Sequence, residues 1–180
     1  YAIAPAVVGV TANYFFSERL GLLYGFFNDL WGFNWMENVS DAYIYVIFAG
    51  CWKQISANFI FFLAGLQNIE KSVIEASSID CKSSFRRFWT VTFPLLMPTT
   101  FFLIIINITY AFFETLGIID TTTIGAPSGE TKTLVYKAYI DGFKGLDLGS
   151  AGAQSIIMLI IVLVITIFQF RFIEGKVHYN

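Results

Sequence analysis

The stretch Glu75 to Pro98, EASSIDCKSSFRRFWTVTFPLLMP, decides the fold, because it is a polar and basic segment between two long apolar runs. The whole chain of 180 residues is 56% hydrophobic and only 13% charged. Such a chain rarely gathers Lys82, Arg86 and Arg87 within a few residues unless it has left the lipid bilayer. The sequence therefore predicts membrane-spanning helices on both sides of a loop that lies in water.

Two short helices are predicted within this loop. Asn68 is placed to cap the first helix, and Ser83 is placed to cap the second. The second helix carries Phe85 and Phe88 at helical spacing, so it presents an apolar face that can bury against another surface. The break between the two helices is expected near Cys81.

The composition indicates a membrane protein and argues against several other classes. The chain contains 20 Phe, and its mean hydropathy is +0.65. A net charge of −2 argues against a nucleic-acid partner. The single histidine, His178, lies in the C-terminal tail and gives no basis for a catalytic triad or a histidine metal site. The segment GAPSGETKT lacks the spacing of a phosphate-binding loop, so ATP must be handled by another polypeptide.

The apolar runs predict an all-α bundle with about four membrane spans. The predicted spans are 1–16, 42–66, 95–118 and 151–173, joined by loops at 67–94 and 119–150. The first span is short, which fits the C-terminal part of a longer chain. Basic residues are concentrated in the central loop and the tail, which predicts that both lie in the cytoplasm and that 119–150 lies outside.

The central loop resembles the EAA loop of permease subunits in binding-protein-dependent ABC importers. That pattern is Glu-Ala-Ala, then Asp-Gly-Ala, an aromatic or apolar helix, and Leu-Pro followed by a second Pro. The residues in register with it are Glu75, Ala76, Asp80, Phe88, Pro94 and Pro98. Cys81 stands where glycine is usual. Glycine takes a positive φ without strain, so Cys81 implies either a turn with negative φ or a less stable loop.

The resemblance covers nearly the whole chain, and within the family it is to permeases for glycerol 3-phosphate, which implies glycerol 3-phosphate or a related glycerophosphodiester as the substrate. It implies a polytopic bundle in the bacterial inner membrane, with 67–94 and the C-terminus in the cytoplasm. It implies as partners a second permease subunit, ATPase subunits, an external solute-binding protein and membrane lipid. The chain itself is expected to be no enzyme and to bind no cofactor, while the ATPase subunits use ATP and magnesium.

Coupling to an ATPase is the role that the resemblance implies for the central loop. Two short helices outside the membrane would lie in a groove of the ATPase subunit and convert its closure into a tilt of the attached spans. The residues assigned to this role are Glu75, Ala76, Asp80, Cys81, Phe85, Phe88 and Pro94. The alternative is an amphipathic hairpin that has no partner.

Polar residues inside the predicted spans are the candidates for a substrate path, because charged and polar groups at bilayer depth usually face a bundle interior or a water-filled path. They are Lys53, Gln54, Asn58, Asn107, Tyr110 and Glu114. An anionic substrate would be favoured by Lys53 and repelled by an unpaired Glu114. The alternatives are an internal pair between these two residues, or snorkelling of Lys53 to the membrane surface.

Three other functions stay open at this point. A permease of the same class could carry sugars. A membrane-embedded enzyme that modifies lipids would need clustered acidic residues or histidines at the membrane edge, and Asp120 and Glu114 are the nearest approach to such a cluster. A structural or receptor subunit would have no ATPase partner.

Overall fold

The structure is a computed structural model that describes residues 3–18, 21–81 and 83–173, with the backbone alone at Leu22, Asp80, Phe172 and Ile173. Every regular element in those ranges is a helix, so the predicted all-α fold is confirmed. The α-helices are α1 (Pro5–Phe15), α2 (Leu22–Trp31), α3 (Val39–Gln67), α4 (Lys71–Asp80), α5 (Ser84–Arg87), α6 (Phe93–Leu95), α7 (Met97–Phe113), α8 (Leu116–Thr121), α9 (Leu134–Tyr139) and α10 (Leu148–Ile173). Two π-helices, π1 (Phe88–Thr92) and π2 (Ile140–Lys144), follow α5 and α9.

Two of the described helices are long and apolar enough to cross a membrane, namely Val39–Gln67 and Leu148–Arg171. A third span results if Ser84–Leu95 and Met97–Phe113, which are bent by 69° at their junction, are counted together. The predicted span at 95–118 differs from the structure, because α7 ends at Phe113 and α8 begins only at Leu116. α1 has 11 residues, about half the number that a full span needs.

The helices form two compact units, the first comprising 1–55 and 109–163 and the second 56–108 and 164–180. An aromatic core holds the first unit together around Phe16, which is buried. Its ring lies 5.0 Å from that of Tyr45 and 5.8 Å from that of Phe33. Because Phe16 follows α1 and Tyr45 belongs to α3, these contacts hold the two helices together.

A polar link crosses the same unit. The Tyr45 hydroxyl donates a hydrogen bond of 2.7 Å to the Asn13 side-chain oxygen. The Asn13 side-chain nitrogen in turn donates to the backbone carbonyl of Thr121. The link therefore fixes α3, α1 and α8 in one arrangement, and Gly9 lets α1 approach Thr121 closely, since a Cβ at Gly9 would overlap the Thr121 side chain.

The second unit is held together by a close helix approach at a glycine and by pairs of aromatic rings. A Cβ added at Gly65 of α3 would lie 2.8 Å from the Thr99 hydroxyl oxygen of α7, so the glycine permits a close approach of the two helices. The Phe61 and Phe102 rings are 5.5 Å apart. The ring of Phe101 meets that of Phe170 edge to face at 5.4 Å. These pairs pack α3, α7 and the end of α10 together.

The start of α10 is fixed by Asp147. The Asp147 carboxylate accepts a hydrogen bond of 3.0 Å from the backbone N–H of Ser150, as expected of a residue at the helix N-cap. Hydrogen bonds from the Ser150 backbone and side chain lower the pKa of this carboxyl below its ordinary value. The charged form is therefore the one that the folded helix stabilises.

Acidification is expected to loosen the first turn of α10. A carboxyl whose pKa is lowered by folding contributes stability above its unfolded pKa and loses that contribution as pH falls through its folded pKa. We expect Asp147→Ala to speed amide hydrogen exchange of Ser150 about threefold to tenfold at neutral pH. Asp147→Asn is the control, because asparagine caps without titrating. An Asn variant as acid-sensitive as the original chain would contradict this account.

Candidate coupling loop and transport path

α4 presents an exposed face that carries an acidic and an apolar residue. Glu75 and Ile79 are four residues apart, so they lie on the same side of the helix, and the Ile79 side chain is 83% exposed. Ala76 is exposed beside them, whereas Ser77 is the buried residue of α4. The helix backbone includes Asp80, but the Asp80 side chain lies outside what the structure describes. The exposed face can therefore contact another protein without disturbing the loop.

The predicted caps of the loop are corrected by the structure. α4 begins at Lys71 with Glu70 at the N-cap, and neither Asn68 nor Glu70 caps it through a side chain. The Asn68 prediction is therefore wrong. Ser83 does occupy the N-cap position of α5, although its side chain makes no capping hydrogen bond. Helix starts in this loop depend on tertiary packing, because α4 packs against α5 and π1.

Cys81 turns the chain between the two helices with a negative φ. Its backbone is extended, at φ −114° and ψ 102°, and its N–H donates to the carbonyl of Ser77. Of the two predicted alternatives, the turn with negative φ is the correct one. The loop thus needs no glycine at this position and carries no left-handed strain there.

The second arm of the loop is one helical segment, 84–95, in which π1 lies between α5 and α6. The N–H of Phe93 donates to the carbonyl of Phe88, five residues back, and Pro94 is the second residue of α6. The wider π-helical turn accommodates Pro94, which lacks an N–H and would clash with a carbonyl four residues back in a regular α-helix.

The chain bends by 69° where this segment meets α7. The break falls at Leu96, and Pro98 is the second residue of α7. Pro98 removes the hydrogen bond that would continue the helix and disfavours helical backbone at the residue before it. The 84–95 segment therefore leaves α7 at a steep angle.

Aromatic side chains cover the 84–95 segment. The Trp89 ring lies 5.3 Å from that of Phe88 and 5.0 Å from that of Phe93. Phe85 is 76% exposed and lies 6.4 Å from Trp89. Phe88 and Trp89 are also exposed. Phe85, Phe88 and Trp89 thus form an exposed aromatic cluster, and Ile79 is an exposed apolar residue of the preceding helix α4. We call these four residues the hairpin patch (Ile79, Phe85, Phe88 and Trp89).

Three of the candidate path residues meet in the first unit. The Lys53 ammonium lies 3.7 Å from the Glu114 carboxylate and 4.4 Å from the centre of the Tyr110 ring. The Lys53 side chain is 5% exposed and that of Glu114 is 55% exposed. The predicted alternative of an internal pair between these residues is thus confirmed. Gln54, the residue that follows Lys53, is also buried.

The other two candidates pair in the second unit. The side-chain amides of Asn58 and Asn107 exchange hydrogen bonds of 3.2 and 2.8 Å, so each is both donor and acceptor. Asn107 also donates to the backbone carbonyl of Leu103. This reciprocal pair joins α3 to α7 and satisfies partly buried amides that would be costly without hydrogen bonds.

Two polar features escaped the sequence analysis. Gln169 is buried in α10, and its side-chain oxygen has no hydrogen-bond partner within the part of the chain that the structure describes. The signal in the sequence was an amide between two phenylalanines, Phe168 and Phe170, at the end of the apolar run of α10. Asp120 accepts from the Tyr136 hydroxyl at 3.2 Å and lies 3.5 Å from the Lys144 ammonium, and burial together with Asp120 raises the pKa of Tyr136. No local sequence pattern indicates that Asp120 contacts Tyr136 or Lys144.

A cluster of acidic residues or histidines that could hold a metal ion is absent from ranges 3–18, 21–81 and 83–173. No three His, Cys, Asp or Glu residues there come together in a way that could hold a metal ion. Asp120 is paired with Lys144 and Glu114 with Lys53. His178 lies outside the described residues, as does the tail whose cytoplasmic position is predicted.

Comparison with known proteins gives a match along almost the entire chain. The model of the family "Binding-protein-dependent transport system inner membrane component" matches residues 1–178. This match agrees with the apolar helices and with the loop that resembles an EAA loop.

Several relatives are named sn-glycerol-3-phosphate transport system permease protein UgpA. The chain is 52% identical to the protein of Rhizobium meliloti and 51% identical to that of Agrobacterium fabrum, over 182 aligned residues. It is 46% identical to that of Escherichia coli O6:K15:H31. The alignments cover 100% of this chain but only 61% or 62% of these relatives, so the chain spans about three fifths of their length.

Proposed function

Because this chain belongs to the family of binding-protein-dependent transport system inner membrane components, we propose that it is a permease portion of an ATP-driven importer for glycerol 3-phosphate. A second permease subunit, ATPase subunits that use ATP and magnesium, and an external solute-binding protein complete the importer. Transport runs inward by alternating access across the bacterial inner membrane. The chain itself carries no hydrolytic chemistry in this proposal.

The hairpin patch is the observation that carries the coupling role. Ile79 and Phe85 are 83% and 76% exposed, and neither belongs to the two helices that are long and apolar enough on their own to cross a membrane, Val39–Gln67 and Leu148–Arg171. Exposed apolar side chains that lie close together and are rimmed by charges are typical of a protein interface. The neighbouring Arg86 and Arg87 support a cytoplasmic position for 67–94. The occupant of this surface is therefore an ATPase subunit.

The bent segment 84–95 gives the coupling a mechanical basis. It is helical throughout and meets α7 at a bend of 69°, with one residue, Leu96, at the break. A rigid arm joined to a span by a short break transmits a displacement at its tip as a tilt or shift of that span. The two prolines, Pro94 and Pro98, fix the position of the break.

The substrate assignment rests on the relatives together with the Lys53 ammonium. The relatives named above are glycerol 3-phosphate permeases, at identities near 50%. A cation placed midway along a spanning helix favours an anion over a neutral sugar. Both observations point to a phosphorylated substrate.

Uptake by the full-length importer tests this proposal. The full-length protein is co-expressed with its partner subunits in cells that lack their own glycerol 3-phosphate uptake. Labelled glycerol 3-phosphate is then expected to accumulate only when ATPase and binding protein are both present. Accumulation of a maltose-type sugar instead would overturn the substrate assignment, and uptake without the ATPase would overturn the importer class.

A further inference from the structure

We propose that the Lys53 ammonium is an anion-binding point on the transport path and that Glu114 occupies it between transport cycles. The phosphate group of the substrate displaces the Glu114 carboxylate, and the carboxylate returns when the substrate leaves. This inference rests on the proposed function and adds to it a resident counter-ion. It predicts that removing Lys53 weakens substrate binding and that removing Glu114 strengthens it.

The two members of the pair differ in their surroundings. Lys53 lies midway along the 29-residue α3, and its side chain is 5% exposed. Glu114 follows the last residue of α7, and its side chain is 55% exposed. The cation is thus fixed and sheltered, whereas the anion can move into open space. The Glu114 carboxylate is therefore the partner that an incoming anion displaces.

The contact between Lys53 and Glu114 is loose. Their charged atoms are 3.7 Å apart, whereas a direct hydrogen bond between an ammonium and a carboxylate measures about 2.7–2.9 Å. Glu114 also sits at the C-terminal end of α7, where the helix dipole disfavours a negative charge. An incoming phosphate, with more charge and more acceptor oxygens than a carboxylate, can therefore compete for Lys53.

Tyr110 contacts the Lys53 ammonium through its ring and carries a hydroxyl that can donate a hydrogen bond to the substrate. It lies one helical turn before Glu114, and its ring holds the Lys53 ammonium at 4.4 Å from the ring centre. Tyr110 is 7% exposed, and its hydroxyl has no hydrogen-bond partner among the residues that the structure describes. A buried hydroxyl beside a cation suits a phosphate oxygen, because its unused O–H can donate there.

A purely structural ion pair would behave differently. Removing either partner of such a pair weakens the protein in the same direction, since each removal leaves the other charge alone. A resident counter-ion competes with the substrate. Its removal therefore improves substrate binding, whereas removal of Lys53 impairs it.

Uptake kinetics of the full importer in proteoliposomes distinguish these two roles. Lys53→Met is expected to raise the KM for labelled glycerol 3-phosphate about tenfold or more, and Glu114→Gln to lower it about tenfold. Lys144→Met is the matched control, because Lys144 also pairs with a carboxylate and lies over a tyrosine ring, yet belongs to the predicted external loop 119–150. Its KM is expected to stay within about twofold of the original.

Each outcome of this experiment decides the matter. KM shifts in the same direction for Lys53→Met and Glu114→Gln, or an unchanged KM in either variant, would overturn the inference while leaving the proposed function intact. If a single variant fails to assemble, Lys53→Met combined with Glu114→Met removes both charges at once. A KM in this double variant equal to that of the unaltered importer would likewise overturn the inference. Failure of the unaltered importer to take up glycerol 3-phosphate would instead remove the proposed function, and this inference with it.

Discussion

Replacing Glu75 with arginine is expected to lower both uptake and substrate-stimulated ATP hydrolysis about tenfold or more. Glu75 is exposed on the same side of α4 as Ile79, at the face proposed to meet the ATPase subunit. A reversed charge at a docking interface loses its cationic partner and adds repulsion, which costs several times the 1.4 kcal/mol that corresponds to a tenfold change. Initial uptake rates and ATPase rates of the reconstituted importer measure the effect.

Glu70→Arg is the matched control for this prediction. Glu70 is exposed in the same loop and undergoes the same change of charge. It lies at the N-cap before α4, five residues ahead of Glu75, and so is not part of the exposed face that carries Glu75 and Ile79. Rates within about twofold of the original are expected for Glu70→Arg. Equal losses in both variants would mean that total loop charge, and not the Glu75 face, determines coupling.

Replacing Phe85 with aspartate is expected to prevent stable assembly with the ATPase subunit. Because Phe85 is 76% exposed, the substitution leaves no cavity within the chain itself. Burying a phenylalanine at an interface contributes about 1.5–3 kcal/mol, and a buried unpaired carboxylate adds a penalty. Copurification of the ATPase with the permease in detergent is therefore expected to fall at least tenfold.

Phe143→Asp supplies the comparison, because Phe143 is 78% exposed but belongs to the predicted external loop 119–150. The amount of ATPase that copurifies with Phe143→Asp should equal that of the original protein. Undiminished copurification with Phe85→Asp would show that the hairpin patch is a solvated surface with no partner, the alternative that the sequence left open.

The sequence predicted those structural features that depend on residues close together in the chain. The polar interruption at 75–98 predicted a loop of two short helices, and the apolar runs predicted the all-α fold, because hydrophobic periodicity and charge density are properties of contiguous residues. The negative φ at Cys81 was one of two alternatives that residue chemistry allowed.

The features that the sequence did not predict depend on distant residues. The reciprocal amide pair of Asn58 and Asn107 joins two helices 49 positions apart, and no local rule places them opposite each other. The burial of Ser77, in place of an apolar residue, follows from the packing of α4 against α5 and π1. Prolines indicate where a chain can bend, and the break at Leu96 lies between Pro94 and Pro98, but no local rule gives the angle of 69°.

Thiol labelling at position 78 is the most direct test of the central claim, that the loop lies in the cytoplasm and is bound by an ATPase. Ser78 is exposed beside Ile79, and the two native cysteines, Cys51 and Cys81, are free thiols that can be replaced first. A membrane-impermeant maleimide is expected to label Ser78→Cys in inside-out vesicles, to do so less when the ATPase is bound, and to leave intact spheroplasts unlabelled. Labelling in intact spheroplasts would contradict the account.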